Sequence, residues 1–173
     1  DRTDVLLIAN AYWLACAAVD LDPWLVAAQC LHETANLTSF WCQHPRRNPA
    51  GIGVTGQVQT ARPRDITGWA YDDARQQWRV GLSFPNWLHA SIPAHVGRLV
   101  AWAVAPADRT PAQRDAVATA LSYRRLPEAA QGSAPTLAQL GRDHNASGLG
   151  WASPGTAYGA ALAERANHLR GAP

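Results

Sequence analysis

"LVAAQCLHETANLTSFW", residues 25–41, decides how the chain is read. A mostly apolar helical run closes on His32-Glu33, and two chemistries share that opening. A zinc protease begins its H-E-x-x-H signature this way, placing two histidines four apart so that both imidazoles reach one metal. A sugar hydrolase presents its acid in the same manner, as a single glutamate at the end of a buried helix. The residue four after His32 is Asn36, a poor zinc ligand, and His44 does not restore the longer zinc spacings. The metal reading falls, and no metal or organic cofactor is expected.

The helical pattern bears on the second chemistry. Trp24, Ala27, Ala28 and Leu31 form one apolar stripe, while Val26, Gln29, Cys30 and Glu33 form a second row at the same spacing. A helix apolar on nearly every side is buried, so Glu33 emerges from the core at its C-terminal end. Burial penalises the carboxylate and raises its pKa, and the helix C-terminus pushes the same way. A glutamate kept protonated near neutral pH serves as a general acid. Glutamate occurs only at 33, 128 and 164. Glu128 suits a helix start and Glu164 a solvated helix face, which leaves Glu33 for chemistry. A buried Glu33 paired with an arginine is the structural alternative.

Outward from this helix, "DLDPW" marks its start, with Asp22 as N-cap and Pro23 at the first helical position. A first helix is expected over 4–19, and the second runs on to about Leu37. Residues 42–57 read as loop followed by a short strand, and 54–80 as a small hairpin. Trp87, Leu88, Ile92, His95, Val96, Leu99 and Trp102 follow a helical rhythm, which makes Trp87, His95 and Trp102 core residues. Another helix starts behind Thr110-Pro111, a short one lies near 136–143, and a last one spans Thr156–Leu169. The sum is an α+β chain, mostly α, forming one domain over 1–173 with a hairpin lobe at about 52–80.

Composition narrows the function classes. The 173 residues are 47% hydrophobic with a net charge of +2, which excludes a disordered chain and gives no sign of nucleic-acid binding. All 15 basic residues are arginine, as a GC-rich coding bias would also produce. Eight tryptophans exceed what a core of this size needs, and sugar stacking is a common use for the surplus. Cys16, Cys30 and Cys42 form no C-x-x-C pair; one disulfide is possible and one thiol is left over. The most apolar run is interrupted by Asn10, so a buried helix is expected rather than a membrane span. With no methionine in the chain, residue 1 is not expected to be a native start, and removal of a signal peptide or leading domain is expected.

"AAQCLHETANLTSFW" followed by "NPAGIGVTG" resembles the glucosaminidase domain of glycoside hydrolase family 73. That family carries an alanine-glutamine helix ending in Glu-Ser or Glu-Thr, here Ala28-Gln29 to Glu33-Thr34, and then an Asn-x-x-Gly-Ile turn, here Asn48 to Ile52. "FPNWLHASIPAHVGRLVAWA" and "GWASPGTAYGAALAERANHL" resemble the family's later helix and closing segment. The chain departs from the pattern in the residue before Glu33, in lacking the Gly-Trp-Gly that follows, and in Ser153-Pro154 where Thr-Asp-Pro is usual.

The resemblance implies a lysozyme-like fold and hydrolysis of the peptidoglycan glycan strand at a β-1,4 bond between N-acetylglucosamine and N-acetylmuramic acid. Muramidase specificity and a silent glycan-binding module stay open. It implies an extracellular or cell-wall location, and a monomer is expected. Glu33 takes the proton donor's place. The second carboxylate lies in the hairpin, with Asp65 the first candidate beside Asp72 and Asp73. Asn48, Gly51 and Gly53 are expected beside the sugar, or as parts of their own turn. Trp69, Tyr71, Trp151 and Tyr158 are candidate stacking platforms.

Overall fold

The computed structural model describes residues 2–171. Five α-helices and a small antiparallel sheet make the mostly-α, α+β architecture expected from the sequence: α1 (Arg2–Ala17), α2 (Pro23–Glu33), β1 (Val58–Gln59), β2 (Trp69–Asp72), β3 (Gln77–Val80), α3 (Ile92–Ala103), α4 (Pro111–Tyr123) and α5 (Tyr158–Leu169).

Helix α1 buries Ile8, Ala11, Tyr12 and Cys16, a 3-4 spacing that lays one face on α2 and α3. Asp22 caps α2 by accepting from the Trp24 N–H at 2.9 Å. The expected continuation of α2 to Leu37 does not occur. Thr34 ends the helix: its hydroxyl donates to the Cys30 carbonyl at 2.6 Å and accepts from the Leu37 N–H at 2.9 Å. Ala35, Asn36 and Leu37 then take positive φ values of 49°, 57° and 66°. The chain thus turns sharply away, and Glu33 stands at the last helical position.

Trp87–Ser91 forms a π-helical turn that runs directly into α3, with Pro93 just beyond the junction. A proline clashes with the carbonyl four residues back, and the wider turn relieves that contact. Helices α3 and α4 pack closely: a Cβ on Gly97 would lie 2.0 Å from the Ala116 carbonyl oxygen. A capping box between Thr110 and Gln113 starts α4, as the Thr-Pro pair indicated. The short helix expected near 136–143 resolves into two 3-10 turns, Ala138–Leu140 and Arg142–His144. The final helix begins at Tyr158, two residues later than expected.

The β lobe holds three strands in the order β1-β3-β2. The expected hairpin is β2–β3, pairing Tyr71 with Trp78, and β1 adds Val58 opposite Arg79. The short strand expected toward the end of residues 42–57 is absent. Gly51, Gly53 and Gly56 all have positive φ there, so the segment is a run of turns. Among the described residues no helix is long and apolar enough to cross a membrane. Cys16, Cys30 and Cys42 are free and buried, and burial pushes their thiols up to about 12, 12 and 11.

Candidate active site

Glu33 is half-buried at the end of α2, and α5 supplies its first partner: the Tyr158 hydroxyl donates to Oε1. The hydroxyl in turn accepts from Gln29 Nε2 at 2.9 Å. Gln29 Oε1 lies 2.8 Å from His95 Nε2, and His95 Nδ1 lies 2.7 Å from the Tyr12 hydroxyl. Gln29 and His95 are almost wholly buried, and burial pushes His95 down to about 3, so its ring is neutral. With Tyr158 donating to Glu33, one proton arrangement satisfies every member. Tyr12 donates to His95, His95 to Gln29, Gln29 to Tyr158, and Tyr158 to the carboxylate. Three helices and the closing segment are thereby tied to a single oxygen.

Burial raises the Glu33 carboxyl above its ordinary value, against the lowering effects of the Tyr158 hydrogen bond, the His32 charge and a hydrogen bond from Trp151. No arginine is among the groups acting on it, so the structural alternative of a guanidinium-locked glutamate is not what the fold builds. The other oxygen, Oε2, faces Gly51: a Cβ built there would sit 3.9 Å from it. Gly51 has φ of +60°, so glycine permits the turn and sets no side chain against Oε2.

Asn48 is sealed from solvent and spends its whole side chain on the loop. Its Oδ1 accepts from the Ala50 and Ile52 N–H groups at 3.3 and 2.9 Å, and Nδ2 donates to the Ile52 and Leu82 carbonyls at 2.8 and 2.9 Å. The anchoring role, not a sugar contact, is the one its geometry supports, and its product is the placement of Gly51. Tyr158 likewise serves the carboxyl; it is buried and holds Glu33 instead of offering a platform. Trp151 is half-buried between Glu33 and the His95 ring, whose centroid is 5.7 Å from its own.

Trp69 and Tyr71 sit two apart on β2, on one face of the sheet, with the Tyr71 ring 5.2 Å from Trp78. Of the hairpin carboxylates, Asp72 is buried and bound by Arg79 at 3.0 Å. Asp65 is exposed and accepts from the Thr67 N–H at 2.8 Å; that bond holds it below its ordinary value. Asp73 is exposed in the β2–β3 turn.

The sequence reading missed Gln29, His95 and Tyr12 as members of the site. A signal existed in Gln29, a polar residue four before Glu33 on the buried row. The bond from Tyr158 stabilises the ionised carboxylate. Removing it in Tyr158→Phe is therefore expected to raise the Glu33 pKa further and move the alkaline limb of kcat/KM to higher pH. A pH–rate profile checks this, and an unmoved or acid-shifted limb contradicts it.

The site thus brings together a carboxyl raised by burial, the Tyr158 and Trp151 donors that act on it, and a glycine facing its Oε2. No protein-family model and no curated protein matches the sequence. Among solved structures the chain is similar to the catalytic domain of the autolysin Auto from Listeria monocytogenes. The likeness has 16% identity and a TM-score of 0.47, and covers 98% of this chain and 84% of that one.

Proposed function

We propose that the chain is a peptidoglycan hydrolase with a lysozyme-like fold, related to the family 73 glucosaminidases. It cuts the β-1,4 bond between N-acetylglucosamine and N-acetylmuramic acid in the cell wall, with Glu33 as general acid. The observation that carries this reading is the Glu33 carboxyl itself, half-buried, raised by burial and faced by a residue without a side chain at Gly51. The glycan lies between the end of α2 and the Gly51–Gly53 turns, where Oε2 reaches the linkage oxygen. Trp69 and Tyr71 on the β lobe offer rings to the sugars on one side.

Glycoside hydrolysis needs a second carboxylate, either close to the acid or roughly 6.5–9.5 Å away when water attacks from the opposite face. Asp72 is committed to Arg79, so it does not take this part. Asp65 is ionised and unpaired with any cation among the described residues, and it is assigned the task of activating water or stabilising the oxocarbenium-like transition state.

Digestion of purified peptidoglycan, borohydride reduction and mass spectrometry of the fragments test the reading. Fragments ending in reduced N-acetylglucosamine are expected. Ends of reduced N-acetylmuramic acid would reassign the bond, and the absence of new ends would remove the activity.

A further inference from the structure

A polar cavity of about 200 Å³ opens beside the catalytic carboxyl, between the Gly51–Val54 turns, α3 and the segment carrying Trp151. Gly51 and Trp151, its two walls nearest the reaction, are the same residues that flank Glu33. Its far side holds two guanidinium groups, Arg98 on α3 and Arg124 at the end of α4. Arg124 Nη1 lies against Gly53, 3.2 Å from where a Cβ would stand. Arg98 is half-buried and donates to the Arg124 carbonyl at 3.0 Å, which draws the two like charges together. Neither meets a carboxylate among the described residues. Burial and then the Arg124 charge push Arg98 down to about 10, so it remains a cation at neutral pH. Trp102 also lines the space, and its buried indole N–H has no acceptor in the protein.

Two unpaired arginines side by side in a concave site repel each other and gain only when an anion joins them. The remainder of the cavity is turn backbone and aromatic surface. Resting on the hydrolase reading above, the substrate's own chemistry supplies one kind of anion at this distance from the scissile bond. The glycan backbone is neutral, and its charge is carried on the lactyl-peptide side group of muramic acid, as carboxylates. We propose that Arg98 and Arg124 form a carboxylate subsite that seats this side group and so sets the register of the strand across Glu33. The site makes the enzyme read the charged wall polymer in preference to a neutral chitin-like chain.

The test compares native peptidoglycan with the same polymer after its carboxylates have been amidated, and with amidase-stripped strands whose only carboxylates are the lactyl ones that stripping frees. Cleavage and co-sedimentation of the protein are read in parallel. Wild-type kcat/KM is expected to be about tenfold higher on native than on amidated polymer, through KM, as one charge-assisted bidentate contact at a partly open site provides. Arg124→Gln is expected to erase that preference. Arg125→Gln, the loss of a neighbouring exposed charge outside the cavity, is expected to keep it. Stripped strands that behave like native polymer show that the subsite takes a carboxylate already at the lactyl position, and stripped strands that behave like amidated polymer assign the preference to the peptide carboxylates. Equal cleavage of native and amidated polymer by wild type overturns the subsite, as does a preference that survives Arg124→Gln or falls equally with Arg125→Gln. If no polymer is cut, the hydrolase reading fails, and the sedimentation preference still decides the arginines.

Discussion

Glu33→Gln is expected to lower fragment release from peptidoglycan about a thousandfold, within the range that general acids contribute. Glutamine keeps the shape of the side chain, and its carbonyl still accepts from Tyr158, so the relay through Gln29 and His95 persists. Only the transferable proton is lost. Pelleting on cell walls is expected to be retained. Unchanged fragment release would take the acid's role from Glu33, and wild type that pellets on walls without releasing fragments would make the chain a glycan-binding module, with the lysis assay as the check. The same variant carries a stability signature. Because the folded carboxyl is raised above its ordinary value, its protonated form favours the fold at acid pH. That contribution is lost as pH rises through the folded value. Glu33→Gln never ionises, so its Tm is expected to exceed that of wild type at pH 7 and to converge with it in acid, a cost that activity imposes on the native residue.

The largest expected stability effect comes one turn earlier on the same helix. Gln29→Leu preserves volume and deletes both ends of an amide bridge. It leaves the His95 Nε2–H without an acceptor and the Tyr158 hydroxyl without a donor, each buried. Unsatisfied buried polar groups cost about 1–3 kcal/mol apiece, so a loss of about 3 kcal/mol is expected in denaturant unfolding. Tyr158, freed from Gln29, no longer fixes Oε1, and kcat is expected to fall about tenfold with KM little changed. A change within about 0.5 kcal/mol, the size of an ordinary surface substitution, would show that the bridge holds nothing in place.

Part of this site is legible in the sequence because the physics is local. The burial of α2, the position of Glu33 at its end and the turns around Gly51 follow from helical periodicity, an N-cap and glycine. The same logic places Trp87, His95 and Trp102 inside. Where α2 stops is less legible, because Thr34 competes with the helix through its own hydroxyl and three non-glycine residues then accept left-handed conformations. Least legible are the long-range partners. Tyr158 joins Glu33 across 125 positions and Gln29 meets His95 across 66, contacts that no spacing encodes. Tyr158 therefore reads in the sequence as one more aromatic surface, and Asn48 as a polar residue free for a ligand, although each is consumed by the scaffold.

Burial raises the Glu33 carboxyl above its ordinary value, and the role of Glu33 as the acid depends on that direction. The chain holds three glutamates, so 13Cδ-glutamate labelling yields three carboxyl resonances, and Glu33→Gln identifies one by its disappearance. That resonance is predicted to titrate above the ordinary glutamate range, in step with the alkaline limb of kcat/KM. A titration at or below the ordinary range, or a limb that moves independently of it, would contradict the assignment of Glu33 as the acid.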